Sequence, residues 1–195
     1  MLAAFRSHMS NRLSILGLLL LLGTSCQQQN KRLDFKKFSI EVPKSWTIIP
    51  QNGIDSYVGG IVIDHSDTLF FDLGWHSNPL EEEKPYLIAH NKVFLINKEK
   101  STSNHTFYDY YGQLDTTDLE QFLKNSVSFE TIAHRKAKII RPKQSGIGNT
   151  GIYIDSLWIA GCGIDRFSLS GTDLKPANEI MVLKALRTIR FSLKR

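Results

Sequence analysis

The stretch Leu13 to Leu22, ten residues and apolar but for Ser14, constrains this chain more than any other. A helix that crosses a bilayer needs about 20 such residues. Ten match the hydrophobic core of a secretory signal peptide. Arg6 and Arg12 supply the positive segment before it, and Arg12 alone suffices if translation starts at Met9. The chain is therefore expected to leave the cytoplasm. Residues 1–25 are expected to be removed as a leader and to take no part in the fold.

Small residues Gly23, Thr24 and Ser25 follow the apolar core, and then comes Cys26. This order resembles the leader of bacterial lipoproteins. The resemblance implies a diacylglycerol thioether on Cys26, anchoring to a membrane, and a place in the cell envelope facing the periplasm or the exterior. With Cys26 acylated, the second cysteine, Cys162, has no disulfide partner within the chain. Residues 26–33, CQQQNKRL, are polar and aperiodic and read as a tether.

Residues 34–195 read as one domain, long enough to bury a substantial core. A hydrophobic content of 42% argues against disorder. Residues 26–133 carry 10 basic and 15 acidic side chains, whereas residues 134–195 carry 12 basic and 4 acidic. A basic third of this kind fits an anionic partner. Export argues against nucleic acid, which leaves an envelope protein or anionic lipid. The competing reading is that the two halves interleave and their charges mix.

Alternation of apolar and polar residues marks most of the chain as strand. Phe38 to Val42 is the first clear case, closed by Pro43-Lys44-Ser45 as a turn, with Trp46 and Ile48 expected on one face of the next strand. Tyr57 to Asp64 and Thr68 to Leu73 follow, with Leu69, Phe71, Leu73 and Trp75 sharing a face. Strands are also expected around His90-Asn91, at Phe107 to Tyr111, and over Val127 to Ala133 and Arg135 to Arg141. Gly161-Cys162-Gly163 reads as the turn of a hairpin. Thr117 to Glu120 has capping-box spacing and predicts a short helix ending near Asn125. A second helix is expected from Pro176, with Met181, Val182, Ala185, Leu186 and Ile189 on one stripe. About nine strands and two helices without βα alternation give an α+β class: an antiparallel or mixed sheet with helices packed on it.

The opening Phe38-Ser-Ile-Glu-Val-Pro-Lys-Ser-Trp46 and the closing Ala185-Leu-Arg-Thr-Ile-Arg-Phe191 are similar to the two ends of PsbP-like α/β/α sandwich domains. That family hosts photosystem assembly factors, a small-GTPase-binding regulator and many bacterial lipoproteins. The resemblance implies work that is mostly not catalytic.

Candidate chemistry is sparse. Gly146-Ile-Gly148-Asn-Thr-Gly151 has G-x-G-x-x-G spacing, but Ile152-Tyr153-Ile154 behind it reads as strand, where a dinucleotide site needs a helix. Asp64, His65, Asp67, Asp72 and His76 form the best acid–base or metal cluster. On a strand, Asp72 and His76 stand about 13 Å apart, too far for one metal. Arg135, Lys136, Lys138, Arg141 and Lys143 form a basic run, either an anionic-partner face or a charged sheet edge. No catalytic, cofactor or metal residues are assigned, and lipidation at Cys26 is the one assigned site. The expected function is a lipid-anchored, non-catalytic binding or accessory module. The alternatives are an envelope enzyme with a site assembled from distant residues and a structural surface lipoprotein.

Overall fold

The computed structural model describes residues 29–82, 86–89, 92–95, 107–110 and 120–192, so the leader and Cys26 lie outside the described residues. The described residues form a mostly β structure of α+β class. Its strands are β1 (Asn30–Asp34), β2 (Phe38–Pro43), β3 (Thr47–Pro50), β4 (Tyr57–Ile63), β5 (Asp67–Gly74), β6 (Tyr86–Ala89), β7 (Lys92–Leu95), β8 (Phe107–Tyr110), β9 (Asn125–Ile132), β10 (Arg135–Pro142), β11 (Asn149–Ala160), β12 (Gly163–Thr172) and β13 (Arg190–Phe191). A single α-helix, α1 (Pro176–Leu186), precedes β13.

Seven strands make one antiparallel sheet in the order β3-β4-β5-β12-β11-β10-β9. It consists of two hairpin meanders, one from each half of the chain, joined where β5 pairs with β12 and Phe71 faces Leu169. The acidic stretch 26–133 and the basic stretch 134–195 therefore interleave, at β5–β12 and again at β9–β10, and Glu130 of the first pairs with Arg141 and Arg187 of the second. A second sheet has the order β1-β2-β13, and a third, β7-β6-β8, contains one parallel pair.

Period-2 alternation places Leu69, Phe71 and Leu73 of β5, Ile152 and Ile154 of β11, and Phe167 and Leu169 of β12 in one core. β2 contributes Phe38, Ile40 and Val42 to the same core, and α1 contributes Val182, Ala185 and Leu186. Phe38 is its centre: its ring lies 4.7 Å from Phe35, 5.0 Å from Phe71 and 4.9 Å from Phe167. Each such side chain contributes about 1.5–3 kcal/mol by leaving water. Gly59 permits the Phe71 ring to lie flat on β4, because a Cβ there would stand 2.5 Å from a ring carbon. The first turn of α1 is held by Asp67, whose Oδ2 accepts from Lys175 N at 2.9 Å and Asn178 Nδ2 at 2.7 Å.

Several expectations need correction. Residues 30–33, expected in the tether, belong to β1: their backbone pairs with β2 throughout, Leu33 is buried, and Arg32 bonds Glu41 at 3.1 Å. Trp46 is fully buried, but it sits before β3, so strand alternation does not link it to Ile48, which is 43% exposed. Trp75 lies past the end of β5 and is half-exposed against Gly163. The helix expected after Thr117 falls mostly outside the described residues, and its described part, Glu120–Phe122, is one 3-10 turn. Thirteen strands and one α-helix replace nine and two among the described residues. The remaining strands and α1 lie within a few residues of where alternation and the Pro176 signal placed them.

Candidate functional site

β9 and β10 are joined by a two-residue turn, Ala133-His134, with Ile132 paired to Arg135. Both turn residues have positive φ, 50° and 60°. This is the signature of a type I′ turn, which matches the twist of a hairpin but favours Asn and Gly. For other residues the left-handed region costs about 1–2 kcal/mol each. Ala133 is held there by packing on the core.

On one side of this turn lies an open cleft of about 750 Å³. Its floor is aromatic: the Trp158 and Phe191 rings meet edge to face at 6.2 Å. Trp158 is fixed by donating Nε1–H to Asp165 at 2.8 Å. Its rim carries His134 of the turn and three cations, Arg135 at the start of β10, Arg187 from the end of α1 and Arg190 from β13. These cations differ in state. Arg187 makes a two-pronged contact with Glu130, Nε to Oε2 at 2.8 Å and Nη2 to Oε1 at 2.6 Å. This contact holds the Glu130 carboxyl below its ordinary range and raises Arg187. Arg135 reaches only a backbone oxygen, Ser156 O at 3.5 Å, and Arg190 reaches only Ile189 O at 2.9 Å. Neither has a carboxylate partner among the described residues.

A second opening of about 680 Å³ lies on the other side of the same turn. Several of its polar groups are engaged. Tyr153 donates to Asp155 at 2.9 Å, and Arg166 donates to Asp155 at 3.0 Å. Burial, with the Asp155 contact second, pushes the Tyr153 hydroxyl up to about 12, so it stays protonated at neutral pH. Lys136 lies 4.6 Å over the Phe129 ring, and Lys138 donates to Pro79 O at 3.0 Å. The turn is thus a ridge between the two openings, with His134 and Arg135 lining both.

The basic run is split by the pleat of β10. Arg135 lines both openings, Lys136 and Lys138 line only the second, and Arg141 joins Glu130 at 3.4 Å. It is not a sheet edge, because β9 lies outside β10. The acid–histidine cluster is dispersed: Asp64 and His65 form the β4–β5 turn at φ 47° and 56°, Asp67 caps α1, Asp72 is on β5, and His76 lies beyond the strand. No group of three or more potential metal ligands converges among the described residues. Gly146 and Gly148, at φ 85° and 126°, form a loop that leads into strand β11. Cys162 is free and exposed in the β11–β12 turn.

Sequence reasoning missed Trp158, Arg187 and Arg190 as parts of one site. Their spacing carries no motif, and only the pairing of β13 with β2 brings the chain's end to the β9–β10 turn. No helix among the described residues is long and apolar enough to cross a membrane. Searches against family models, curated proteins and solved structures give no match to this chain.

Proposed function

We propose that this chain is a lipid-anchored cell-envelope protein, held by Cys26, that acts as a non-catalytic binding or accessory module. Its ligand is an acidic segment of another envelope protein, taken in the cleft beside the β9–β10 turn. The observation that carries this reading is the pair of arginines without carboxylate partners, Arg135 and Arg190, above the Trp158–Phe191 floor. A guanidinium fork is complementary to a carboxylate. An aromatic base receives the apolar part of the same segment. A PsbP-like sandwich is the fold proposed for the domain. Its support is that the two segments carrying the resemblance meet in space, Phe191 pairing with Phe38 and Arg190 with Ser39.

Affinity capture from solubilised membranes with the anchored protein tests the reading. Arg135→Glu with Arg190→Glu is expected to weaken capture of the partner at least about tenfold, since truncated charge contacts of this kind cost about 2 kcal/mol or more. Equal recovery of the same partners by wild type and variant would remove the cleft from the argument. The anchor has its own test. Intact mass of the membrane-extracted protein should show a diacylglycerol on Cys26, absent after Cys26→Ser.

A further inference from the structure

Gln29, the first described residue, is close in sequence to the proposed anchor. Gln29 is already fixed: its carbonyl accepts from Lys44 N at 3.1 Å, and its side-chain Oε1 accepts from Lys44 Nζ. Only Gln27 and Gln28 lie between it and Cys26. Three Cα–Cα steps span at most about 11 Å. A lipid on Cys26 therefore brings the Gln29–Lys44 corner down to the headgroup layer, and the rest of the domain follows from that corner.

The chemistry of this corner is cationic. Lys44 and Ser45 are exposed in the β2–β3 turn. Lys184 on α1 flanks the same shallow depression as Asn30 and Pro43. Lys31, next along β1, points to the opposite face from Asn30 and is not part of this one. The acid of this corner, Glu41, is engaged by Arg32 at 3.1 Å. Lys44 and Lys184 have no ion-pair partner among the described residues. The cleft stands elsewhere. Along β2, Asn30 pairs at Pro43 while Arg190 pairs at Ser39, four residues or about 13 Å away.

We infer that Lys44 and Lys184 form a membrane-docking face that binds anionic phospholipid headgroups and orients the domain. The inference rests on the proposed anchoring at Cys26. Lysine is a compact charge suited to headgroup phosphates, and its attraction to an anionic surface fades within a Debye length, so the short tether is what makes it effective. Docked this way, the domain holds the acid-binding cleft off the bilayer, where a protein partner reaches it.

The test uses the lipidated protein in vesicles of phosphatidylcholine with or without phosphatidylglycerol. In a Cys162→Ser background, an environment-sensitive fluorophore is placed at Ser45→Cys or at His134→Cys, and lipid-borne quenchers report depth. Quenching at position 45 is expected to exceed that at 134 by roughly threefold in anionic vesicles, and to fall towards parity with Lys44→Glu and Lys184→Glu or in pure phosphatidylcholine. Equal quenching at both positions in anionic vesicles, or quenching at 45 indifferent to lipid charge, would overturn the docking face. A purified protein without the diacylglycerol mass would overturn the anchoring instead, and mass spectrometry of the same sample separates the two outcomes.

Discussion

Trp46 sits at zero exposure, and its indole N–H meets no acceptor. A buried donor left unpaired costs about 1–3 kcal/mol. The ring stays because the packing it provides outweighs that cost. Trp46→Ala is accordingly expected to lose about 3–5 kcal/mol in chemical denaturation. Trp46→Phe removes the orphan N–H and keeps most of the ring, so its loss should stay below about 1.5 kcal/mol. Equal losses for the two changes would show that the N–H has a partner after all. Sequence alternation marked Trp46 as apolar and inward, but it carried no sign of the missing acceptor, which depends on what the fold places around the ring. Glu130 shows the opposite case, a carboxylate with more partners than its neighbours in sequence could supply. Its folded pKa is lowered first by the hydrogen bond from Arg187. Its contribution is therefore present in full above the ordinary carboxyl pKa and lost as pH falls through the lower folded value. At 29% and 41% exposure of the two side chains, the contact is screened and worth about 1 kcal/mol at most. The stability gap between wild type and Glu130→Gln should be open at pH 7 and closed near pH 3. A gap that persists in acid would assign it to packing and not to charge.

Elements were recovered from the sequence where side chains dictate them. β5 and β12 carry their apolar residues at alternate positions, as does β11 up to the bulge between Ile154 and Trp158, and α1 opens on Pro176 and buries Val182, Ala185 and Leu186. β1 was invisible because NKRLD has one apolar residue, and the strand is held by backbone pairing to β2. The β9–β10 turn was located by the two strands that flank His134, but its type was hidden, since Ala133-His134 lacks the residues a type I′ turn prefers. Strain of this kind is tolerated where a special geometry is needed. Ala133→Asn with His134→Gly should relieve it and raise stability by about 1–2 kcal/mol. The same change removes a rim group of the cleft and relaxes its ridge, so partner capture should fall while the melting temperature rises. A variant that is neither more stable nor weaker in capture would show that the turn is neither strained nor part of the site.

At the scale of the molecule, the chain's two ends are parts of one structural unit, and composition could not reveal this. The charge imbalance between the halves looked like a candidate basic face. Pairing of β9 with β10 sets part of it against Glu130, and basic residues also line the cleft and the Gln29–Lys44 corner. The last residues do more than end the chain. Thr188 Oγ1 accepts from Glu41 N at 2.8 Å, Ile189 is fully buried, and Phe191 lies 5.2 Å from Phe167. β13 then closes the edge of β2. A chain stopped at Leu186 would lose all of these at once, along with the Arg187 contact to Glu130. Deleting one buried Ile alone costs about 2–5 kcal/mol, and a whole domain has about 5–15 kcal/mol to lose. The truncated chain is therefore expected to unfold without a cooperative transition, although the removed segment is far in sequence from the β1–β5 half. Circular dichroism through a urea titration decides it. A sharp transition within about 2 kcal/mol of the full chain would mean that the seven-stranded sheet and α1 stand without β13, and that the pairing of the chain's ends serves the cleft and not the fold.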